Sequence, residues 1–254
     1  MQYTTELIIR IVIAVVFAVV MGNGSVVAFN RMPAKWFEDY PDDAEIDGNE
    51  DAKVMPEKLI EADAMGRQRL PSTPWKFAFV GYFGICGIYL AIRGGSIAFE
   101  LAVLCVLFVV LEMAIADQLY QIVPDQFAWA LIVIAIAFND YYEKWWEQLA
   151  GGALGLGISF AILILGNLLF KTGSIGGADI KFFGAMGFIV GMRGIVVVFI
   201  LTTLLFAAYS AVKIAFMRGS IKDKNAMLPA GLTAVTVYFL FLWNFPSEIF
   251  TFKL

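Results

Sequence analysis

Long apolar runs separated by short polar stretches dominate the pattern of this chain. A bilayer crossing needs about 20 mostly apolar residues, so each run predicts a membrane-spanning helix. The second, fourth and sixth runs are short for a full crossing. The predicted spans lie at residues 5–23, 77–92, 97–117, 125–140, 146–170, 177–192, 194–216 and 229–246.

The first apolar run has the position of a cleavable signal peptide. Its polar start carries no net positive charge, because Glu6 lies close to Arg10. A secretory signal begins with a positively charged region. We therefore expect this run to stay in the protein as the first span.

The composition of the 254-residue chain fits that pattern, with 60% hydrophobic and 16% charged residues. A soluble domain of this length exposes far more polar surface. We predict an all-α integral membrane protein, a polytopic bundle of about eight transmembrane helices forming one domain over residues 1–254. The lipid bilayer is then its first partner, and we expect no nucleic acid to bind.

The charges between the predicted spans indicate an orientation. With the N-terminus outside, thirteen Lys and Arg residues fall on the inner side and four on the outer side. Leaving out the long first inner segment, which counts less, six remain against four. Because cytoplasmic loops carry the excess of positive charge, we expect a multi-pass protein of the cytoplasmic membrane with its N-terminus outside.

One long polar segment, residues 30–74, interrupts the apolar pattern between the first two spans. Eleven acidic residues lie between Glu38 and Asp63, half of the 22 in the chain. This composition is typical of a solvated cytosolic loop, with a short amphipathic helix near 56–66. The alternative is a substrate-docking element over a site at the inner face.

The chain has no histidine and only two cysteines, Cys86 and Cys105, both in apolar runs. Ser-His-Asp triads, Cys-His dyads and histidine-ligated metals are therefore excluded, and the lack of a CxxC pair argues against a thiolate zinc site. We expect no metal. Catalysis would have to come mainly from carboxylates, hydroxyls, lysines or arginines.

Two carboxylates stand at span ends on the same predicted side. Asp117 closes the third span, and Pro124 and Asp125 open the fourth in a plausible helix start. Asp179 opens the sixth span, so both Asp117 and Asp179 fall on the cytosolic face. Two close aspartates can share one proton, and such a pair activates water in aspartic proteases.

The stretch around Asp179, "TGSIGGADIK", offers more polar and small residues. Gly173, Gly176 and Gly177 allow a positive φ and close approach of a substrate backbone, or they only permit a turn. Lys181 tunes the pair, anchors a phosphate, or lies at the interface as a snorkelling lysine. Glu112, five residues before Asp117, pairs inside the bundle or assists the site.

These motifs resemble the type IV prepilin peptidases, membrane aspartic proteases with a G-x-G-D motif. In that family the first aspartate precedes the Pro of a Pro-Asp or Pro-Asn pair by seven residues, as Asp117 precedes Pro124. The second aspartate heads a GD-x-K motif, matched by Asp179 and Lys181 in "GGADIK".

The resemblance extends along most of the chain and also departs from the family. Ala178 replaces the glycine of the bacterial pattern, and "GGAD" here is similar to the archaeal preflagellin peptidases. "GSVVAFNRMP" (24–33) and "MLPAGLTA" (227–234) resemble two further bacterial segments. The long loop lacks the two CxxC pairs that form a zinc site in many bacterial members.

The resemblance implies an aspartic endopeptidase that cleaves the leader from type IV prepilins or pilin-like secretion subunits at the cytosolic face. It implies a pilin-like substrate helix as partner and no cofactor, with S-adenosylmethionine only if N-methylation is retained. The oligomeric state is open. The predicted catalytic residues are Asp117 and Asp179, and the predicted substrate-binding or supporting residues are Gly176, Gly177, Lys181, Asp125, Pro124 and Glu112.

Two other functions stay open at this point. A proton- or cation-coupled transporter would use Asp117, Asp179 and Glu112 as its site. A catalytically dead scaffold in a secretion assembly would not need both aspartates.

Overall fold

The computed structural model describes residues 2–37, 57–64, 69–170, 176–217 and 225–243, and these residues form helices and short connections with no strand among them. The all-helical prediction is thus confirmed. Short 3-10 segments follow α1 and α5, and a π-helical segment follows α8. The helices are α1 Gln2–Arg31, α2 Glu57–Ala64, α3 Ser72–Arg93, α4 Ile97–Tyr120, α5 Asp125–Ala135, α6 Trp146–Phe170, α7 Gly177–Met217 and α8 Leu228–Val237.

Helix α4 forms the centre of the bundle. It contacts α1, α3, α5 and α8, and most of its residues from Ala102 to Asp117 are buried. A helix that is apolar on all sides is expected in such a position. The surrounding helices keep large apolar side chains exposed, including Ile85, Ile164 and Leu204, as lipid-facing helices do.

The pairing of α1 with α3 explains why the first helix is longer than predicted. We expected the first span to end at residue 23, before Gly24, but α1 continues to Arg31. Gly22 lies inside this helix, where an added Cβ would come within 2.4 Å of the backbone of Val80. Gly22 therefore permits close helix packing, and the helix does not end there.

Helix α7 is a hairpin of two helices that turns at Gly191. Gly191 has φ 68° and ψ −178°, a conformation open mainly to glycine. The ring centroids of Phe183 and Phe199 lie 5.0 Å apart, whereas 16 residues of straight helix would separate them by about 24 Å. The chain therefore reverses at Gly191, two residues before the break at 193 that was predicted between the spans 177–192 and 194–216.

Among the described residues, five helical stretches are long and apolar enough to cross a membrane: α1, α3, α4, α6 and α7, with α7 taken from end to end across its turn. The shorter apolar helix Leu228–Leu242 lies near the C-terminal end of the described chain. A multi-pass membrane protein is supported by these lengths. The total of eight crossings stays a prediction.

The predicted amphipathic helix of the acidic segment is confirmed as α2. Leu59 is fully buried in it and Glu61 is exposed. Much of the acidic segment, residues 38–56 and 65–68, lies outside the described residues.

The connections divide between two ends of the bundle. At one end, Arg10 of α1 pairs with Glu100 of α4 at 3.1 Å, and Ser96 bonds Tyr141 at 2.6 Å. A cavity of about 500 Å³ also opens at that end, beside Gly191. Asp117, at the opposite end of α4, marks the other end. Which end faces the cytosol stays a prediction.

Candidate active site

Asp117 lies in the last turn of α4 and is buried, with 6% of its surface exposed. Its Oδ2 accepts a hydrogen bond of 2.9 Å from the backbone N–H of Leu228. Leu228 is the first residue of α8, and the first N–H groups of a helix have no partner within that helix. The N-terminus of α8 therefore orients the Asp117 carboxyl and complements a negative charge on it.

Asp179 lies in the first turn of α7, where a carboxylate is favoured by the helix dipole. Its Oδ2 accepts a hydrogen bond of 3.3 Å from the N–H of Gly176. The N–H of Asp179 in turn donates to the carbonyl of Gly176 at 3.1 Å. This reciprocal pair resembles a capping box, so Asp179 has a structural role in starting α7 as well as a candidate chemical one.

The fold brings Asp117 and Asp179 to the same end of the bundle, although 62 residues separate them in sequence. Lys181, two residues after Asp179, contacts Val123 and Asp125 directly after α4, so the start of α7 lies beside the end of α4 that carries Asp117. Two like charges that come close do not both ionise readily, and such a pair can share one proton.

Lys181 joins the two sequence motifs. Its Nζ lies 2.6 Å from Oδ1 of Asp125 and donates to the carbonyl of Val123 at 3.4 Å. Pro124 sits between these two partners and immediately precedes α5. Both charged side chains are well exposed, so the ion pair itself contributes little energy. The two contacts show that the start of α7 lies beside the turn that follows α4.

Gly176 and Gly177 do not adopt the special backbone geometry that we considered. Neither has a positive φ. An added Cβ at Gly177 would meet no atom within 4 Å, and one at Gly176 would meet only Asp179 Oδ2, at 3.8 Å. The fold itself therefore leaves room for side chains at both positions. Gly173 lies outside the described residues.

Glu112 faces α1 from the interior of α4, with 1% of its surface exposed. Neither carboxyl oxygen has a hydrogen-bond partner within the described part of the chain. Ser25 lies beside it, but the Ser25 hydroxyl donates to the carbonyl of Met21 at 2.9 Å. Glu112 therefore lies inside the bundle beside Ser25, and its supporting role at the site stays a prediction.

The described residues contain no cluster of His, Cys, Asp or Glu that could hold a metal ion. Cys86 is buried and Cys105 half-buried, and both carry free thiols.

Sequence reasoning missed the hydrogen bond between Leu228 and Asp117. "MLPAGLTA" signals a helix start through Pro229, which stands in the first turn of α8. The signal gives no indication of which side chain the new helix end will meet. That contact joins residues 111 positions apart and depends on the tertiary fold.

A comparison with protein families supports the resemblance stated from the motifs. Residues 101–211 match the model of a family described as the type IV leader peptidase family. This stretch includes both Asp117 and Asp179. Neither a curated protein nor a solved structure gives a significant match to the chain.

Proposed function

We propose that this chain, whose residues 101–211 match the model of the type IV leader peptidase family, is an aspartic endopeptidase of the membrane. The family indicates a peptidase. The substrates that we propose are type IV prepilins or pilin-like secretion subunits, cleaved at the cytosolic face. The observation that carries the proposal is the placement of Asp117 and Asp179 at one end of the bundle, where Lys181 of α7 contacts Asp125 and Val123 directly after α4.

The proposed chemistry is that of a shared-proton pair. One aspartate is charged and takes a proton from a bound water, which attacks the carbonyl carbon of the peptide bond. The other aspartate holds a proton and donates it to the carbonyl oxygen as the tetrahedral intermediate forms. Collapse of the intermediate breaks the C–N bond, and a proton from the pair leaves with the new amine.

Two backbone amides support this chemistry. The Leu228 N–H holds one oxygen of Asp117, and the Gly176 N–H holds one oxygen of Asp179. Each carboxyl keeps a second oxygen for a proton or a water. Fixing both groups before the substrate arrives removes much of the entropic barrier to reaction.

The membrane would position the substrate. A pilin-like substrate has an apolar helix directly after its leader, and the bilayer holds that helix beside the bundle. The junction between leader and helix then meets the aspartates at the membrane surface. Binding energy from the helix, which takes no part in the reaction, is used to place the scissile bond.

The proposal is tested with Asp117→Asn and Asp179→Asn, each co-expressed with a pilin-like substrate. Mass spectrometry of the substrate reports the cleavage site and any N-methyl group together. We expect no cleavage in either variant, because an amide can neither accept the proton of water nor share a proton with its partner. Retained cleavage in Asp117→Asn or Asp179→Asn would contradict the Asp-pair mechanism.

Asp140→Asn is the matched control. Asp140 is exposed and lies in the 3-10 segment that follows α5, away from the candidate site. We expect this variant to process the substrate at the wild-type rate. Loss of processing in all three variants would point to folding or insertion defects, which the amount of protein in the membrane fraction detects.

The alternative is a proton- or cation-coupled transporter. The buried Glu112, without a hydrogen-bond partner among the described residues, favours this function, since intramembrane carboxyls often carry protons or ions. Ion flux in proteoliposomes separates the two. Flux that depends on Asp179, without cleavage of any pilin-like substrate, would replace the peptidase with the transporter.

A further inference from the structure

Two hydrogen bonds join the end of α1 to the chain that returns from the acidic segment. Asn30 Nδ2 donates to the carbonyl of Leu70 at 2.9 Å, and the N–H of Leu70 donates to Asn30 Oδ1 at 2.8 Å. The two residues are 40 positions apart. Leu70 is itself buried, so this junction is a fixed point of the fold.

Arg69 reinforces the same junction. Its Nη1 donates to the carbonyl of Met32 at 2.6 Å, and its Nη2 bonds Asp63 Oδ1 at 3.0 Å. The guanidinium also lies over the ring of Phe37, 5.5 Å from the ring centre. Only 6% of the Arg69 side chain is exposed. A buried arginine with three kinds of partner holds its surroundings in one arrangement.

The partners of Arg69 extend to the last turn of α4 through three aromatic rings. Phe37 lies edge-on to Tyr120, with ring centroids 5.2 Å apart. Phe29 of α1 stacks on Tyr120 at 6.2 Å, with 7° between the planes, and its ring centroid lies 6.0 Å from that of Phe37, so the three rings form one cluster. Phe29 and Phe37 are both fully buried. Tyr120 is thus packed against two rings that the Asn30–Leu70 and Arg69 contacts fix.

Tyr120 is the last residue of α4 and stands three residues, less than one helical turn, after Asp117. The next residue, Gln121, has the left-handed φ of 57° and donates its N–H to the carbonyl of Asp117 at 2.9 Å. The final turn of the helix therefore contains both Asp117 and Tyr120. A rotation of this turn would move the Asp117 carboxyl relative to the Leu228 amide.

We propose that Arg69 and Tyr120 are positioning residues for Asp117. Arg69 fixes Phe37, Phe37 and Phe29 fix the ring of Tyr120, and the ring sets the rotation of the last turn of α4. This inference rests on the proposed peptidase function. It gives Arg69, near the end of the acidic segment, a role in the chemical step. This role is separate from any contact between that segment and the substrate.

The test compares Arg69→Met, Arg69→Lys, Tyr120→Leu and Tyr120→Phe, using purified protein and a pilin-like substrate. We expect Arg69→Met and Tyr120→Leu to lower kcat by about 10- to 100-fold with KM within about twofold, because small displacements of reacting groups have effects of that size. Tyr120→Phe keeps the ring and should keep the wild-type kcat. In Arg69→Lys the ammonium group cannot bond Met32 and Asp63 with the forked geometry of a guanidinium. Its kcat should therefore lie between those of the wild type and Arg69→Met.

Arg93→Met is the matched control for a purely structural effect. Arg93 also donates to backbone carbonyls, those of Phe239 and Leu240, but at the opposite end of the bundle. Its loss should lower the unfolding temperature without lowering kcat per folded molecule. A similar fall of kcat in Arg93→Met and Arg69→Met would overturn the positioning role.

The outcomes separate this inference from the proposed function. If the wild type cleaves no pilin-like substrate, the proposed function itself is wrong. If the wild type cleaves and Asp117→Asn does not, while Tyr120→Leu keeps the wild-type kcat, only the positioning role is wrong. Should Arg69→Met fail to fold, the pair Tyr120→Leu and Tyr120→Phe still decides the question.

Discussion

At the scale of single residues, the two candidate catalytic groups are held in different ways. Asp117 receives its hydrogen bond from the start of another helix, through Leu228, whereas Asp179 receives its bond from Gly176, which caps its own helix. A change in the packing of α8 therefore acts on Asp117 directly. Asp179 is less dependent on distant contacts, because its partner is three residues away.

Glu112 gives a prediction about stability. A buried carboxyl without a partner in the described structure lowers stability, because it lost its water and gained no hydrogen bond. We expect Glu112→Met, which is apolar and of similar length, to stabilise the protein by about 1–3 kcal/mol. Thermal unfolding in detergent measures this, with the peptidase rate recorded on the same sample.

Glu100→Met is the control in the same helix. Glu100 is also buried, but it pairs with Arg10 at 3.1 Å. Removing it deprives Arg10 of a buried partner, so this variant should be less stable than the wild type. A stable Glu112→Met protein that has lost its activity would show that Glu112 takes part in function.

At the scale of elements, the positions of the apolar helices follow from the hydrophobic pattern, but their ends do not. The pattern predicted a break inside residues 177–216, and the chain turns there at Gly191. It also predicted an end near Gly24, where the helix continues. Glycine permits both a turn and close packing, and only the neighbours of each glycine decide between them: Tyr142 adjoins Gly191, and Val80 adjoins Gly22.

Gly191→Ala should disturb the α7 hairpin. A Cβ at this position would lie 2.7 Å from the ring of Tyr142, and the positive φ costs about 1–3 kcal/mol for other residues. The Tyr142 hydroxyl also bonds the carbonyl of Ile189 at 2.6 Å, so the ring cannot easily move away. We therefore expect Gly191→Ala to lower the free energy of unfolding by at least about 1–3 kcal/mol.

Gly157→Ala in α6 provides the comparison. A Cβ there would meet no atom within 4 Å, and alanine favours a helix over glycine by about 0.5–1 kcal/mol. This variant should therefore be as stable as the wild type or slightly more so. Equal destabilisation by Gly157→Ala and Gly191→Ala would refute the explanation from backbone geometry.

At the scale of the whole molecule, the connections at one end carry the candidate chemistry. That Asp117 and Asp179 share one end could be predicted from the sequence, because counting the predicted spans places both residues on the same side. The contacts that orient the carboxyls could not be predicted, since the Leu228 amide and the ring of Phe29 reach this end from distant parts of the chain. Hydrophobic patterning determines which residues enter the membrane, and tertiary packing determines which atoms meet.

The charge of the acidic segment gives a prediction for the whole molecule. Eleven acids between Glu38 and Asp63 would attract a leader rich in Lys and Arg, and salt screens such attraction beyond about 10 Å at 0.1 M. We expect cleavage of a basic-leader substrate to slow as salt rises, and cleavage of a neutral-leader substrate to change little. An unchanged rate at low salt after neutralising these acids would make the segment a linker only.

The hydrogen bonds between Asn30 and Leu70 have a consequence for the evolution and engineering of this protein. They fix the two points where the chain leaves and rejoins the helical bundle. Closing a loop costs only about 0.6 kcal/mol more for each doubling of its length. The part of the segment between these points that lies outside the contacts of Phe37, Asp63 and Arg69 can therefore lengthen, shorten or be exchanged for another module while the bundle stays the same, which makes it the natural place for substrate range to diverge.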